Sequence, residues 1–368
     1  MSFTPADARF MARAVQLAAQ GLYTTDPNPR VGSVIVKDGV VVGEGWHVRA
    51  GEPHAEVLAL KQAGEHARGA DVYVTLEPCN HFGRTPPCTE AVLRAGVRRV
   101  TAAMRDPNPL VDGKGFERLT AAGIECRAGL LEAEAQALNP GFISRMRRRR
   151  PYVRVKMAAS LDGRTAMASG ESRWITSEAA RADVQRLRAR SSAIVTGSGT
   201  VLADDPALTV RALDIGRQPL RVVVDSRLRV SAAMQMLRLP GRTLIATASG
   251  DEARANALIA AGAEVVRLPQ AQARVDLAAL LQVLAEREVN EVLVEAGAVL
   301  AGAFLAQGLA DELVIYLAPI LLGDAGRGMF HLPGLDSLAD GARFRVADVR
   351  PIGDDWRIRA MPVSIKDQ

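Results

Sequence analysis

The chain has few features of a secreted or membrane protein. It contains three cysteines in 368 residues, an odd number that argues against a disulfide framework. The opening segment MSFTPADARF has no apolar run of the kind that a signal peptide needs. No apolar stretch of roughly 18 residues, the length of a membrane span, follows it. We therefore expect a cytoplasmic protein without a membrane partner.

Lysine is also scarce. It occurs at only five positions, so arginine supplies almost all of the positive charge, and the formal net charge of +5 is only a weak sign of an anionic partner. The densest basic run, Arg145 with 147–150, is short and is typical of a solvated linker. We therefore expect no nucleic-acid partner. The sequence leaves open whether the chain forms a homo-oligomer.

Both halves of the chain alternate helical and strand-like patterns, which predicts an α/β fold. The length predicts two domains. In the first half, Asp38-Gly39 between two β-rich runs predicts a hairpin. The predicted helices there cover 5–20, 54–66, a segment from Cys88, one before residue 128, and 132–146. The predicted strands cover 31–37, 40–46, 71–76, 97–104 and a last one ending near 128.

The segment RMRRRRP, residues 145–151, is the predicted domain boundary, because Pro151 cannot continue a helix and a β-rich run follows it. The predicted domains are residues 1–146 and 152–368, with a basic linker over 147–151. In the second half, the predicted strands cover 193–196, 220–225, 243–247, 263–267, 291–297 and 311–319. The predicted helices begin after Ser177 and after Gly297, and cover 251–261 and 275–287.

A cluster of histidine and cysteine predicts a metal site. Four of the five histidines lie between residues 47 and 81, and Cys79 and Cys88 lie close by. His54-Ala55-Glu56 and Pro78-Cys79, followed by Cys88, match the H-x-E and P-C…C signature of zinc deaminases. One imidazole and two thiolates leave a fourth zinc position for water, whose pKa the metal lowers toward about 7. Glu56 can then transfer the proton of that water.

The alternative is a structural zinc site, which is usually closed by four ligands and for which His81 could supply the fourth. The chain would then be a binding or scaffold protein. His66 and Cys126 lie away from the motif and are interpreted as structural.

Eight residues, NHFGRTPP, separate the two cysteines, where many zinc deaminases have two. The longer loop is expected to bulge at the rim and to bring polar groups beside the metal. A site for a small polar heterocycle needs such groups, although each of them could instead be a turn residue. The candidate polar residues in this and nearby segments are Asn28, His47, His81, Arg84, Asp106 and Asn108.

Longer motifs support a specific resemblance. PCNHFGRTPPC, with PNPRVGSVIV, GEGWH and HAE before it, resembles the deaminase domain of the bifunctional riboflavin-biosynthesis deaminase-reductases. VKMAASLDGRTA, GESRWITSEAARADVQRLRA, VLADDPALTVR and LVEAGAVLAGAFL resemble the reductase domain of that family. The resemblance implies a cytidine-deaminase-like three-layer α/β/α domain followed by a dihydrofolate-reductase-like α/β domain.

The resemblance implies two reactions. The first is hydrolytic deamination of 2,5-diamino-6-(ribosylamino)-4(3H)-pyrimidinone 5'-phosphate with Zn²⁺ held by His54, Cys79 and Cys88 and with Glu56 as proton shuttle. The second is reduction of the ribosyl side chain of the product to ribityl by NADPH.

The six polar residues named above would line the pyrimidine phosphate pocket. The implied NADPH contacts are Ala158, Trp174, Thr200, Asp204, Gly297, Ala298, Val299, Leu300, Ala301, Gly302 and Ala303. The implied contacts to the reductase substrate are Ser172, Arg188, Leu208, Arg211 and Glu295.

Without the resemblance, the second half indicates only an α/β nucleotide-binding candidate. Gly297 stands at a predicted helix start that suits a phosphate, but it is not part of a G-x-G-x-x-G fingerprint. Arg188 lies on an arginine-rich helix and would be interpreted as part of a solvated face. Lys156 lies inside the apolar strand VRVKMAAS, where a charge is costly unless paired or functional, so we predict that it contacts substrate or cofactor. Asp162 is either functional or a turn residue.

The competing hypothesis for an enzyme is a tRNA adenosine deaminase fused to an unrelated domain. The basic charge favours it slightly. The long cysteine spacing and the reductase-like second half count against it.

Overall fold

The computed structural model describes residues 3–82, 86–109 and 111–363. The chain divides into two compact units, Met1–Arg150 and Pro151–Gln368. Each unit is built on a sheet with both parallel and antiparallel pairs, which confirms the predicted α/β class. Among the described residues, no helix is both long and apolar enough to cross a bilayer.

The first unit alternates strands and helices nearly as the sequence predicts. Its strands are β1 (Gly32–Lys37), β2 (Val40–Trp46), β3 (Asp71–Val74), β4 (Arg99–Ala102) and β5 (Glu125–Ala128). Its helices are α1 (Pro5–Ala19), α2 (Ala55–Ala63), α3 (Cys88–Ala95), α4 (Lys114–Ala121), α5 (Glu132–Leu138) and α6 (Pro140–Arg148), with a 3₁₀ turn over Gly64–Ala67.

The sheet of the first unit has the order β2-β1-β3-β4-β5, with β1 antiparallel to both neighbours. A Cβ at Gly32 would lie 2.1 Å from the carbonyl oxygen of Ala14 in α1, and one at Gly45 would lie 2.5 Å from that of Ala55 in α2. Gly45 is paired with Ser33, the residue after Gly32, and successive strand residues face opposite sides. Helices α1 and α2 therefore cover opposite faces, which gives the expected three layers.

The predicted helix over 132–146 is instead two helices, α5 and α6, separated at Asn139. Pro140 occupies the first turn of α6, where its missing N–H costs nothing. The prediction of one helix was wrong because the periodicity continues across a proline that starts a new helix. Helix α6 extends to Arg148, into the segment predicted as linker.

A buried polar network fastens α1 to the sheet. The side chain of Asp7 in α1 accepts hydrogen bonds from Tyr73 on β3 and from Arg99 on β4, at 2.5 and 3.1 Å. Burial opposes ionisation of Asp7, but its hydrogen bonds with Tyr73 and Thr4, together with the charge of Arg99, lower the pKa of Asp7 to about 2.

The second unit contains thirteen strands within its described residues. They are β6 (Tyr152–Ser160), β7 (Arg164–Ala166), β8 (Ala193–Gly197), β9 (Leu220–Val224), β10 (Thr243–Thr247), β11 (Glu264–Arg267), β12 (Pro269–Gln270), β13 (Arg274–Val275), β14 (Glu291–Glu295), β15 (Glu312–Ala318), β16 (Arg327–Gly328), β17 (Phe344–Ile352) and β18 (Asp355–Pro362). Its helices are α7 (Glu178–Arg190), α8 (Ser198–Asp204), α9 (Glu252–Ala260), α10 (Leu277–Glu286) and α11 (Ala298–Ala306).

Nine of these strands form one sheet in the order β11-β10-β9-β8-β14-β6-β15-β18-β17, parallel as far as β15. The chain continues from β8 toward one edge through β9, whereas β14 lies on the other side of β8. In such sheets, ligands bind beyond the carboxyl ends of the strands at the point where the strand order reverses. The fold therefore directs a ligand to the ends of β8 and β14.

Candidate active sites

Three side chains of the first unit converge on one point. His54 precedes α2 as its N-cap residue, Cys79 follows β3, and Cys88 is the first residue of α3. Their ligand atoms all lie within 4.8 Å of one another, with His54 Nδ1 3.1 Å from Cys88 Sγ and 3.6 Å from Cys79 Sγ. The spacing along the sequence thus becomes a compact cluster of one nitrogen and two sulfurs.

The two thiols are not equivalent. A hydrogen bond from the Cys88 side chain outweighs the effect of burial and, with help from His54, lowers the pKa of Cys79 to about 4. The same hydrogen bond and burial raise the pKa of Cys88 above its ordinary value. The backbone N–H of Cys88 also donates to Cys79 Sγ at 3.3 Å. The cluster therefore presents an anionic sulfur, which is the form that binds metal.

Glu56 lies in the first turn of α2, two residues after His54, and is only 3% exposed. Burial raises the pKa of Glu56, and the charge of Cys79 raises it further, while His54 opposes the change. A buried carboxyl group with a raised pKa, beside a candidate metal-binding cluster, is suited to general acid–base chemistry.

His47 and Asn28 lie beside the cluster as a hydrogen-bonded pair. The His47 ring stands edge-on to the His54 ring, with 5.1 Å between centroids. The Asn28 amide donates to His47 Nε2 at 3.0 Å, and the carbonyl oxygen of Pro53 lies 3.2 Å from Nδ1. Because a carbonyl only accepts, the proton belongs on Nδ1. Burial lowers the pKa of His47, which favours this neutral form.

The loop between β4 and α4 contains Asp106 and Asn108. The Asp106 carboxylate accepts the backbone N–H of Asn108 at 2.8 Å, a turn-forming bond. Burial raises the pKa of Asp106 to about 7. Glu77, a buried carboxylate that was not predicted as a site residue, also binds this loop. No local pattern predicts this role of Glu77, because its hydrogen-bond donors Asp106 and Phe116 lie 29 and 39 residues further along the chain.

The remaining two candidates of this site belong to the loop between the cysteines. His81 is partly buried, and its Nδ1 atom has no hydrogen-bond partner among the described residues. Arg84 lies outside the described residues. The start of the loop is attached to neighbouring helices, because Asn80 Oδ1 accepts hydrogen bonds from Thr89 at 2.9 Å and from Arg118 at 3.3 Å.

In the second unit, three predicted substrate residues form a charged cluster. Lys156 on β6 pairs in register with Glu295 at the end of β14. Arg188 of α7 holds Glu295 through two hydrogen bonds of 2.6 and 2.9 Å, and both side chains are largely buried. Burial lowers the pKa of Lys156. The arginine-rich pattern of α7 predicts a solvated Arg188, and this prediction was wrong, because the Arg188 side chain faces Glu295 of β14.

The other predicted substrate residues are more dispersed. Ser172 is partly exposed in the segment before α7, and Arg211 is exposed while its backbone N–H donates to Gln185 at 3.0 Å. Leu208 is 3% exposed and packs in a hydrophobic core, so only its backbone is available to a ligand. Asp162 is a turn residue whose carboxylate accepts the backbone N–H groups of Leu322 and Gly323.

Several predicted cofactor residues lie around the reversal point of the sheet. Gly197 ends β8 and caps α8, which contains Thr200 and Asp204, while Gly297 follows β14 and caps α11. A Cβ built on Gly197 would lie 3.5 Å from Leu300 of α11, so the two helix starts are neighbours. A Cβ on Gly297 would meet nothing within 4 Å. Open space therefore faces the backbone at this edge.

The 297–303 turn does not face that space along its whole length. Ala298 and Leu300 are partly exposed and Val299 is 62% exposed. In contrast, Ala301 is fully buried and Ala303 is partly buried. A Cβ at Gly302 would lie 2.1 Å from the carbonyl oxygen of His331, so Gly302 is required by packing. Only the first part of the predicted turn can therefore present side chains to a cofactor.

Trp174 is exposed, and the Arg181 guanidinium lies 4.6 Å from the centre of its ring. Its neighbour Arg173 donates to Asp204 at 3.0 Å, which brings these two predicted cofactor residues into one region. Ala158 lies on β6, in register with Tyr316 on β15. Two buried oxygens at the ends of β8 and β9, Thr196 Oγ1 and Asp225 Oδ1, have no partner among the described residues.

Comparison with known proteins covers nearly the whole chain. Residues 4–104 match the family model of the cytidine and deoxycytidylate deaminase zinc-binding region, and residues 151–358 match the RibD C-terminal domain. The riboflavin biosynthesis protein RibD of Escherichia coli K12 is 52% identical over 364 residues, which are 95% of this chain and 97% of that protein.

Two solved structures agree in fold along the full length. RibD of Acinetobacter baumannii has a TM-score of 0.90 and 47% identity, covering 97% of this chain and 99% of that one. A Thermotoga maritima protein described as a diaminohydroxyphosphoribosylaminopyrimidine deaminase/5-amino-6-(5-phosphoribosylamino)uracil reductase has a TM-score of 0.85 and 35% identity, covering 97% and 99%. The chain belongs to the RibD family of bifunctional riboflavin-biosynthesis enzymes, which join a zinc-binding deaminase domain to an NADPH-dependent reductase domain.

Proposed function

We propose that His54, Cys79 and Cys88 hold the zinc ion of a hydrolytic deaminase and that Glu56 transfers the proton. The observation that carries this proposal is the number of ligands. Among the described residues, the three form the one group of His, Cys, Asp and Glu side chains close enough to share a metal, and His81 is not part of it. Structural zinc sites are usually closed by four ligands, so an open three-ligand set favours catalysis.

When bound, zinc supplies a Lewis acid that makes water a nucleophile near neutral pH. The residues of the chain supply the rest. Glu56 accepts the proton of the attacking water and passes it to a ring nitrogen, and it then moves a second proton, from the hydroxyl group of the adduct, to the departing ammonia. Neutral His47, oriented by Asn28 and the carbonyl of Pro53, stands against His54 and fixes one wall of the site.

We propose 2,5-diamino-6-(ribosylamino)-4(3H)-pyrimidinone 5'-phosphate as the deaminase substrate, which loses the exocyclic amine at C2. The name of the Thermotoga protein supports this assignment, as do the polar groups around the cluster. Asn28, His47, His81, Arg84, Asp106 and Asn108 are proposed to contact this substrate. The comparisons give no support to a tRNA adenosine deaminase, since the matches extend through the reductase half.

We propose that the second unit binds NADPH at the ends of β8 and β14 and reduces the ribosyl chain of the deaminated product. The open space at Gly297, the helix starts at Gly197 and Gly297, and the unpartnered buried oxygens of Thr196 and Asp225 fit a dinucleotide. NADPH supplies the hydride, which no side chain can. Trp174, Thr200, Asp204, Ala158 and the start of α11 are proposed to contact it.

The charged cluster of Lys156, Arg188 and Glu295 is proposed to bind the substrate of the reductase, together with Ser172, Arg211 and the backbone of Leu208. Glu295 and the carbonyl oxygen of Thr209 fix the Arg188 guanidinium, and its remaining N–H groups could donate to a polar sugar phosphate.

We further propose that the deaminase comprises residues 1–146 and the reductase residues 152–368, with residues 147–151 as a basic linker. We propose that the protein acts in the cytoplasm.

The deciding experiment supplies the diamino-pyrimidinone phosphate to the intact protein with and without NADPH. Ammonia release and NADPH absorbance are followed separately. Ammonia release without NADPH, and NADPH consumption only after deamination, are the expected results. NADPH oxidation without prior ammonia release would contradict the order of the two reactions.

A further inference from the structure

Glu77 occupies an unusual place between the metal cluster and the substrate loop. It lies two residues before Cys79, at the end of the segment that begins with β3, and is 2% exposed. Its carboxylate accepts three backbone hydrogen bonds. The donors are Asp106 N–H at 3.3 Å, Gly113 N–H at 3.2 Å and Phe116 N–H at 3.2 Å.

These three donors lie in the segment after β4 and in the first turn of α4. Asp106 begins the loop after β4, Gly113 is the N-cap of α4, and Phe116 lies in the first turn of that helix. The backbone N–H of Glu77 in turn donates to the carbonyl oxygen of Met104 at 3.0 Å. Glu77 therefore attaches both Asp106 and the start of α4 to the strand end that leads to Cys79.

The first turn of α4 also touches this strand end directly. A Cβ on Gly115 would lie 2.1 Å from the carbonyl oxygen of Pro78 and 3.1 Å from Glu77 Oε1. Only glycine permits this approach, so the distance between α4 and the Pro78-Cys79 turn is set by backbone contact. Movement of the loop relative to the metal ligand is restricted from two sides.

We propose that Glu77 is a positioning residue of the deaminase, which holds the Asp106–Asn108 loop at a fixed distance from Cys79 so that the loop can bind the pyrimidine phosphate. This inference rests on the proposed function of the site. The hydrogen bonds described for the Glu77 carboxylate all come from backbone N–H groups, so we assign it a positioning role rather than a substrate contact. Its effect is on substrate binding rather than on proton transfer.

The chemistry of the carboxylate makes the proposal testable by a nearly isosteric change. Glu77→Gln keeps the shape but replaces one acceptor oxygen with a donor NH₂ group. Either orientation of the amide leaves at least one of the three N–H groups facing another donor. The loop then loses an attachment while the strand, the two cysteines and His54 keep their own contacts.

The test compares Glu77→Gln with the wild type and with Glu117→Gln, an exposed glutamate of α4. Four quantities are measured on the full chain: kcat and KM of ammonia release, zinc content, and NADPH oxidation with the deaminated product. For Glu77→Gln we expect KM to rise roughly tenfold, kcat to change less than about threefold, and zinc and NADPH oxidation to be unchanged. Glu117→Gln should match the wild type.

A double-mutant cycle with Asp106→Asn shows whether the effect passes through the loop. Because Glu77 is proposed to act by placing Asp106, to whose backbone it is hydrogen-bonded, the two effects on KM should be less than multiplicative, whereas those of Glu117→Gln and Asp106→Asn should multiply. Gly115→Ala, which moves α4 without changing the carboxylate, should also raise KM.

The outcomes separate this proposal from the proposed function. If the wild type released no ammonia, the assignment of the site would fail. If the wild type worked and Glu77→Gln had an unchanged KM, or lost zinc and kcat instead, the positioning role would be overturned. Multiplicative effects with Asp106→Asn would also overturn it.

Discussion

Asn139 binds the backbone of Arg30 with both atoms of its side-chain amide. Its Oδ1 accepts the N–H of Arg30 at 2.8 Å and its Nδ2 donates to the carbonyl oxygen of Arg30 at 2.9 Å. The Arg30 guanidinium returns the contact by donating to the carbonyl oxygen of Leu138 at 2.6 Å. Helices α5 and α6 are thereby attached to the loop that contains Asn28, at the proposed substrate site.

We expect Asn139→Ala to destabilise the first unit by about 2–3 kcal/mol, because two buried backbone groups of Arg30 lose their partners. The measurement is thermal inactivation of ammonia release compared with urea unfolding. Gln136→Ala removes an exposed hydrogen bond to Glu132 from the same helix pair and should change little. Equal stability of the Asn139→Ala variant and this control would show that the attachment is unimportant.

Glu56→Gln should reduce ammonia release by a factor of about 10²–10⁴, the usual contribution of a general acid–base group. Zinc content should stay the same, because Glu56 is outside the ligand group. NADPH oxidation with deaminated product should also be unaffected. Glu52→Gln, at a solvent-exposed ion pair with Arg49, is the matched control. Ammonia release at the wild-type rate would remove Glu56 from the mechanism.

The Asp7 network makes the stability of the first unit depend on pH. The pKa of Asp7 is about 2 in the folded chain and 3.8 as the reference value, so ionisation contributes about 2 kcal/mol of stability above pH 4. This contribution is lost as the pH falls from about 4 through 2, because the unfolded chain takes up the proton first. The stability difference between wild type and Asp7→Asn, measured by urea unfolding, should therefore shrink over this range. Asp38→Asn, at an exposed position outside the network, is the matched control.

Glu295→Gln should impair the reductase alone. It leaves Arg188 and Lys156 as neighbouring buried cations, and removing one partner of a buried ion pair costs about 3 kcal/mol or more. We expect a lower unfolding midpoint for the second unit and loss of NADPH oxidation, with ammonia release unchanged. Glu264→Gln, at an exposed ion pair with Arg242, is the control. Retained NADPH oxidation would show that the cluster is not part of the reductase site.

The two activities should separate when the chain is divided after Arg150. Fragment 1–150 keeps α5 and α6 with their contacts to Arg30, and each unit has its own hydrophobic core. We expect the first fragment to release ammonia and the second to oxidise NADPH. A fragment ending at residue 131 should be inactive, because it lacks Asn139. Insolubility of both longer fragments would contradict independent folding.

The sequence predicts the cluster of His54, Cys79 and Cys88, because the three residues stand at a recognisable local spacing. The positions of α1 to α4 follow equally from local periodicity. Glu77 and Arg30 were not predicted as site residues, because their roles depend on partners far along the chain. The separation is 109 residues for Arg30 and Asn139 and 39 for Glu77 and Phe116.

The hairpin of β17 and β18 was not predicted either. Its first strand contains no buried residue and only three half-buried ones, at every fourth position, so it lacks the alternation of a half-buried strand. The break between α5 and α6 was missed for a different reason. Periodicity continues through Asn139, and only the tertiary contact with Arg30 explains why this residue is buried between two helices.

Helix α2 rests on β2 at Gly45, where main chain meets main chain without intervening side chains. This contact sets the closest approach of α2, and with it of His54, to the sheet, so that a side chain at position 45 would push both away. In protein engineering, Gly45 is therefore a position that replacements in this unit must leave unchanged.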